Sequence, residues 1–378
     1  MQIGTKETVA ILTGVGLLAI ATTAIAQTVD ERISLLEQQI QELRLGPADT
    51  GAGNAVHIGG YGELHYNNLS GDGGADDKEE VDFHRFVLYF GHDFTDRIRF
   101  ISELELEHSL SGGDAPGEVE LEQAFIEFDL NDAHTAQAGL FLLPVGLINR
   151  THEPTRFYGV ERNPVEGKII PTTWWEAGAG LKGAFADGFT YGAHVHSGLN
   201  TSSNSNYAVR SGRQKVAKAD ASDLAGTVAL NWTVPGVTVG GAVIYQSEMT
   251  QGSEPSSGDG LMEEVHAEVR QGPLALRVLY AEWQLDGNAP ESVGADRQYG
   301  WYVEPSYRPI DEIGVFARYS EWDNQAGDSG VESGKVQVDV GVNWWPHEQV
   351  VVKADYQWQD NDSGKDQNGF NLGIGYDF

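Results

Sequence analysis

The chain has 378 residues, a formal net charge of −32 at pH 7 and no cysteine. That charge weighs against nucleic acid and anionic membrane surfaces as partners, since both repel it, and the missing thiols exclude a disulfide framework or a thiolate metal centre. A mean hydropathy of −0.33 excludes a bundle of membrane helices, whereas 47 glycines, 9 tryptophans and 14 tyrosines suit a chain of many turns with aromatic belts.

Residues 1–26 read as a secretory signal: Lys6 near the start, an apolar run from Val9 to Ala21, then Ala24-Ile25-Ala26 as a small-x-small cleavage site. The run is shorter than the roughly 18–20 residues of a spanning helix, so export and cleavage before Gln27 are expected. In 27–46, Val29, Ile33, Leu36, Ile40 and Leu43 recur at alternating spacings of four and three, which is the seam of a coiled coil. Gly46-Pro47 stops it, and 47–54 reads as a linker. These five residues are expected to help hold an oligomer on the periplasmic side; the alternative is a single amphipathic helix that packs on the following domain or plugs it.

From about residue 55 the period switches to two. Ile98, Phe100, Leu104 and Leu106 oppose Arg97, Arg99, Glu103, Glu105 and Glu107, and Val336, Val338, Val340, Val342 and Trp344 oppose Gln337, Asp339, Gly341 and Asn343. One face is apolar and the other carries charge, as in strands that surround an aqueous lumen, and Trp174, Trp175, Trp232, Tyr245, Tyr280, Trp301, Tyr307, Trp322, Trp344 and Trp358 sit toward strand ends, where an aromatic girdle belongs. Short links near 93–96, 131–133, 186–188, 234–236, 272–273, 309–312 and 346–348 alternate with long ones. The alternation predicts an all-β fold, a 16-stranded antiparallel transmembrane β-barrel over 55–378, with both ends in the periplasm and an open channel. Phe370, Leu372, Ile374, Tyr376 and Phe378 form one face of its last strand, and the aromatic end resembles the signal that outer-membrane barrel-assembly machinery reads.

The third long link, 144–174, is too apolar for a free surface loop: Leu147, Ile148, Phe157, Tyr158, Val160, Val165, Ile169 and Ile170 call for a surface to pack on. The barrel's inner wall is that surface, and an ordered extracellular cap is the alternative. The loop runs against the charge of the whole chain, with Arg150, Arg156, Arg162 and Lys168 every six residues beside His152, Glu153, Glu161 and Glu166. These eight residues are expected at a mixed-sign constriction. Arg85, Arg97, Arg99, Glu103, Glu105, Lys182, Arg270, Arg318 and Lys353 are expected to line the lumen. Arg210, Arg213, Lys215 and Lys218 make one basic loop among acidic ones, readable as solvated, as a clamp on lipopolysaccharide phosphates or as folded toward the pore.

No cofactor, metal or catalysis is expected. His152-Glu153 lacks a second histidine one helical turn on, and 360–366 lacks the glycine and glutamate of a calcium loop.

The strand 139–147 with its Pro-x-Gly turn, and the closing hairpin 340–356 with its Asn-Trp-Trp-Pro corner, resemble the phosphate-selective porin family, over roughly 55–378. The resemblance implies a homotrimeric sixteen-stranded outer-membrane porin with an inward loop, passing small hydrophilic solutes and ions and surrounded by lipid and lipopolysaccharide. It does not by itself carry phosphate selectivity here, because acidic positions outnumber basic ones in the expected lumen; an anion- or phosphate-selective channel and a structural anchor that tethers the cell wall through the coiled coil are the other readings. The 27–46 helix resembles that of some dicarboxylate-type channel relatives. Deleting 27–45 should leave conductance per channel unchanged while lowering the thermal stability of the oligomer on semi-native gels; a large rise in conductance would instead make the segment a plug.

Overall fold

The computed structural model describes residues 56–113, 116–254, 257–327 and 330–378, so the signal, the heptad seam and the linker lie outside the described residues. Among these residues the chain forms sixteen strands: β1 (Val56–Gly71), β2 (Lys78–Thr95), β3 (Ile98–Glu107), β4 (Val119–Asn131), β5 (His134–Leu142), β6 (Trp175–Ala186), β7 (Phe189–His196) and β8 (Ala225–Val234), then β9 (Val237–Gln246), β10 (Gly260–Gln271), β11 (Leu274–Leu285), β12 (Arg297–Ile310), β13 (Ile313–Asp323), β14 (Lys335–His347), β15 (Val350–Asn361) and β16 (Gln367–Asp377). Each is antiparallel to its sequence neighbours, and β1 pairs with β16 to close the barrel. Closure removes the unpaired edges that hydrocarbon would not tolerate. Every expected short link is a two-residue turn, at 96–97, 132–133, 187–188, 235–236, 272–273, 311–312 and 348–349.

Alternation sets the two faces. Val340, Val342 and Trp344 of β14 are exposed outward while Gln337, Asp339 and Asn343 are buried inward, and Phe370, Leu372 and Ile374 of β16 face out around buried Asn371. The terminal Phe378 joins the sheet through paired backbone hydrogen bonds with Gly60, each 2.9 Å.

The interior is not uniformly polar. Several inward positions on β9–β12 are apolar, among them Ile244, Met262, Leu279, Trp283 and Tyr302, and they form one buried cluster with Phe141, Leu143, Val165, Ile169, Ile170 and Trp174. The dry core of this molecule therefore lies inside the barrel, between the wall and loop 143–174. Trp174, Trp175 and Trp322, expected in the aromatic girdle from their place near strand ends, are buried in the interior instead. Their strand-end position is right and their face is the opposite one. Outward Tyr245, Tyr307, Trp344 and Trp358 remain exposed where a girdle belongs.

A charge on the outer face has no water to reach. Val340→Arg should lower barrel stability by about 2–4 kcal/mol in urea titrations of vesicle-reconstituted protein, whereas Val340→Leu should leave the midpoint in place.

Candidate pore constriction

Loop 143–174 begins where β5 ends and turns sharply at Gly146, whose φ of +70° favours glycine. A Cβ there would also lie 2.5 Å from Glu166 Oε2. The turn aims two backbone N–H groups at that carboxylate: Leu147 N at 2.9 Å and Ile148 N at 2.8 Å. Glu166 sits in helix α1 (Pro164–Lys168), capped by Asn163, whose Oδ1 accepts from Glu166 N at 2.9 Å. Its other oxygen accepts from Tyr302 Oη of β12 at 2.9 Å. Glu166, expected at the constriction, is fully buried and pins the loop to itself and to the wall. Asn149 ties the two ends together by donating to Leu143 O and Trp174 O and accepting from Trp174 N.

The middle of the loop is strapped to the wall residue by residue. Asn343 donates to Phe157 O at 3.1 Å, Arg318 to Tyr158 O at 3.3 Å and Lys353 to Gly159 O at 2.8 Å, and Val160 N donates to Asp355 Oδ2 at 2.6 Å. Lys353 Nζ also lies 3.7 Å from the centre of the Phe157 ring. On the far side, Glu161 meets His65 Nδ1 and Asn67 Nδ2 of β1, each at 3.2 Å. His152 Nε2 lies 3.2 Å from Glu103 and 3.6 Å from Glu122, on β3 and β4. Burial works against a charge on His152, and Glu103 beside it overrides burial and raises its pKa. The loop thus crosses the lumen from β5 and β6 to β1, β3, β4 and β11–β15.

The expected wall residues divide accordingly. Arg318 and Lys353 are buried under the loop and hold it; Arg318 also pairs with Glu304 at 3.2 Å and Asp339 at 2.9 Å. Arg85 pairs with Glu63 at 2.7 Å, Arg99 with Glu127 at 2.9 Å and Asp129 at 2.5 Å, Lys182 with Glu127, and Arg270 with Glu268 at 2.5 Å. Glu103 and Glu105 are buried in the wall on β3. Arg97 stands in the exposed 96–97 turn at the rim, because β3 starts one residue later than its alternation implies.

Among the described residues, no carboxylate pairs with Arg150, Arg156, Arg162 or Lys168. Arg150, Arg156 and Lys168 are exposed, and Glu153, Glu161 and Arg162 are partly so. Arg162 donates to Thr173 Oγ1 at 2.8 Å. Two more arginines arrive from the 197–224 loop: Arg210 donates to Thr172 O at 2.8 Å, and Arg213 to Pro171 O at 3.1 Å and to Thr173 O, stacking 4.5 Å above Trp175. Of the three readings of this basic loop, the structure has the fold toward the pore. The available signal was the one that placed 144–174 inside: Leu199, Tyr207 and Val209 are apolar in a long link, and all are buried. The three guanidiniums converge on 171–173, and Arg213 lies within electrostatic range of Glu120 and Glu122. Lys215 reaches across to Glu118 at 2.6 Å and to Glu120. A bulge in β4 seats an extra residue opposite Glu103 and Leu104 and lets Glu122 and Gln123 both turn inward, completing a carboxylate stripe of Glu103, Glu105, Glu120 and Glu122.

A closed sixteen-stranded barrel with a loop folded across its lumen defines an outer-membrane porin. The chain belongs to the phosphate-selective porin O and P family, whose model matches residues 56–378. A relative from Aquifex aeolicus (strain VF5), described as an uncharacterized protein, is 30% identical over 366 residues, covering 85% of this chain and 80% of its own. Similar solved folds include the outer membrane channel DcaP of Acinetobacter baumannii (TM-score 0.62, 14% identity, 88% of this chain and 100% of that one). OmpF of Salmonella typhi in complex with daunomycin (0.61, 15%, 86% and 98%) and the in-vitro folded trimer form of OmpT of Vibrio cholerae (0.57, 13%, 86% and 100%) are similar too. At those identities the likeness is one of fold. The protein is an outer-membrane channel.

Glu166→Ala removes the acceptor of four hydrogen bonds, from Leu147 N, Ile148 N, Tyr302 Oη and Asn163 Nδ2, each worth about 1.5–3 kcal/mol when the acceptor is charged. Single-channel traces of that variant should become noisier and larger, and 143–174 should become open to added protease, with the barrel still resisting dissociation in cold detergent.

Proposed function

We propose that the protein is a homotrimeric, weakly selective diffusion channel for small hydrophilic solutes and ions, and that its constriction is a mixed-sign passage. The observation that carries this reading is the opposition of Arg162, Arg210 and Arg213 to the carboxylate stripe of β3 and β4. Arg85, Arg99, Lys182, Arg270, Arg277 and Arg318 of the wall each pair with a carboxylate and Lys353 is buried beneath the loop, so the positive charge open to a solute is concentrated on two inward loops. Opposed charges across a narrow, poorly screened passage make a transverse field that turns a dipolar solute as it passes. Neither ion sign is strongly excluded, because each finds a favourable wall. The trimer form of one structural relative, OmpT of Vibrio cholerae, supports the assembly. The exposed aromatic Phe378 is the group we assign to barrel-assembly machinery, and lipopolysaccharide would surround the outer face; the inward fold of Arg210 and Arg213 removes them as its phosphate clamp.

Phosphate selectivity is the second reading. The family description and three converging arginines without carboxylate partners favour it.

Replacing Arg156 and Arg162 with alanine is expected to shift the zero-current potential across a potassium chloride gradient toward cations. The sequence alone implies a much smaller effect for Arg210 and Arg213; with both folded onto 171–173, their double alanine variant should shift it at least as far. Strong phosphate over chloride preference in the unaltered protein would replace the weakly selective reading with the second one, and an unshifted potential in both variants would move the constriction elsewhere.

A further inference from the structure

A second group of side chains on the lumen wall takes no part in the arginine constriction. Between β1 and β2 the register steps from Glu63 opposite Arg85 to His65 opposite Asp82, so β2 carries an extra residue. The bulge lets His84 and Arg85 both turn inward: Arg85 pairs with Glu63, and His84 stacks on His65 with ring centres 4.6 Å apart. His84 Nδ1 lies 3.1 Å from Asp82 Oδ2. His108, just beyond β3, places its Nδ1 2.8 Å from Asp82 Oδ1. Each of these three residues offers a donor atom within 4.8 Å of the other two, and so does the adjoining set His65, His84 and Glu161. The side chains of Asp82, His84 and His108 are 17%, 27% and 35% exposed, so the cluster opens to the lumen.

Two imidazoles and a carboxylate make a borderline donor set. Magnesium and calcium prefer all-oxygen shells, whereas zinc, nickel and copper take imidazole nitrogen readily, and three protein ligands leave positions for water. The two imidazole nitrogens lie 2.8 and 3.1 Å from Asp82 oxygens, and all three ligand atoms fall within 4.8 Å of one another, a spread that brackets the roughly 3.3 Å between ligand atoms around a tetrahedral ion with bonds of roughly 2.0–2.1 Å. The strongly acidic chain also raises the local concentration of divalent cations. No sequence motif announces the cluster, because Asp82 and His84 lie on β2 and His108 comes from beyond β3.

We propose that Asp82, His84 and His108 bind a divalent first-row transition ion, such as Zn2+ or Ni2+, in the channel wall. Through His84 the site touches His65, which is bonded to Glu161 of the inward loop, so an ion bound there adds positive charge beside the loop that narrows the passage. Ion binding itself does not depend on the selectivity proposed above.

The test uses the full-length protein in detergent, without a histidine tag and stripped with a chelator, titrated calorimetrically with Zn2+ and separately with Mg2+. One saturable Zn2+ site per chain is expected, with no Mg2+ site of similar strength. His84→Ala and His108→Ala should each weaken Zn2+ binding at least about tenfold, while His134→Ala, elsewhere on the wall, should not. Unchanged heat-modifiable gel mobility checks folding. If the alanine variants do not fold, Asp82→Asn and the visible absorption of bound Co2+ in the unaltered protein serve instead: intense tetrahedral bands that weaken in Asp82→Asn are expected. Absent saturable Zn2+ binding, equal binding of Mg2+, or undiminished binding in the variants overturns the proposal. A failure of the channel measurements with Zn2+ binding intact would count against the selectivity reading alone.

Discussion

No backbone polar group at membrane depth can go without a partner, and the rest of this structure follows from how the chain meets that condition twice. The wall meets it by closing sixteen strands on themselves. Loop 143–174 has no strand beside it inside the barrel, so side chains must serve. The successive residues Phe157, Tyr158, Gly159 and Val160 each have a backbone group held by a wall residue, Asn343, Arg318, Lys353 and Asp355 in turn. Buried polar groups left unpaired would cost more than these bonds gain, which is why wall residues that look like ion ligands are spent on the loop.

That use of charge shapes the pore. On the wall, bases stand beside carboxylates in strips such as Arg99 with Glu127 and Asp129, or Arg277 with Glu268 and Glu304. Breaking one partner of such a buried pair leaves the other charge stranded, so these strips are structural as much as electrostatic. The charges left for a solute are those on the inward loops, where backbone carbonyls hold the arginines in place without cancelling them. A chain of net charge −32 thereby presents a locally basic surface at its constriction.

The packed interior of β9–β12 supplies the other half of the anchoring. Hydrophobic burial there is non-directional and fixes the loop's face, and the hydrogen bonds fix its register. Glu166 joins the two: it caps the loop's own turn through Leu147 and Ile148 while reaching Tyr302 on the wall.

The strands were legible because alternation has a period of two and each turn has its own chemistry, so Val340 and Asp339 could be placed on opposite faces without any coordinates. The inward course of 144–174 was legible for a related reason: eight large apolar residues in a link need a surface. The role of Glu166 was not, because a carboxylate in a sequence looks the same whether it faces water or caps a turn. Arg97 was misplaced by one residue of strand end, and the tryptophans at 174, 175 and 322 by face, since strand-end position does not say which side a side chain takes once a loop covers the inner wall. The sequence by itself determined the barrel, its strand number and the inward course of 144–174, all of which depend on local periodicity and composition. Only the tertiary structure decided which charges meet, bringing Arg162, Arg210 and Arg213 to 171–173 and His65, His84 and His108 together, because those encounters join segments far apart in the chain through a closed wall that no local pattern encodes.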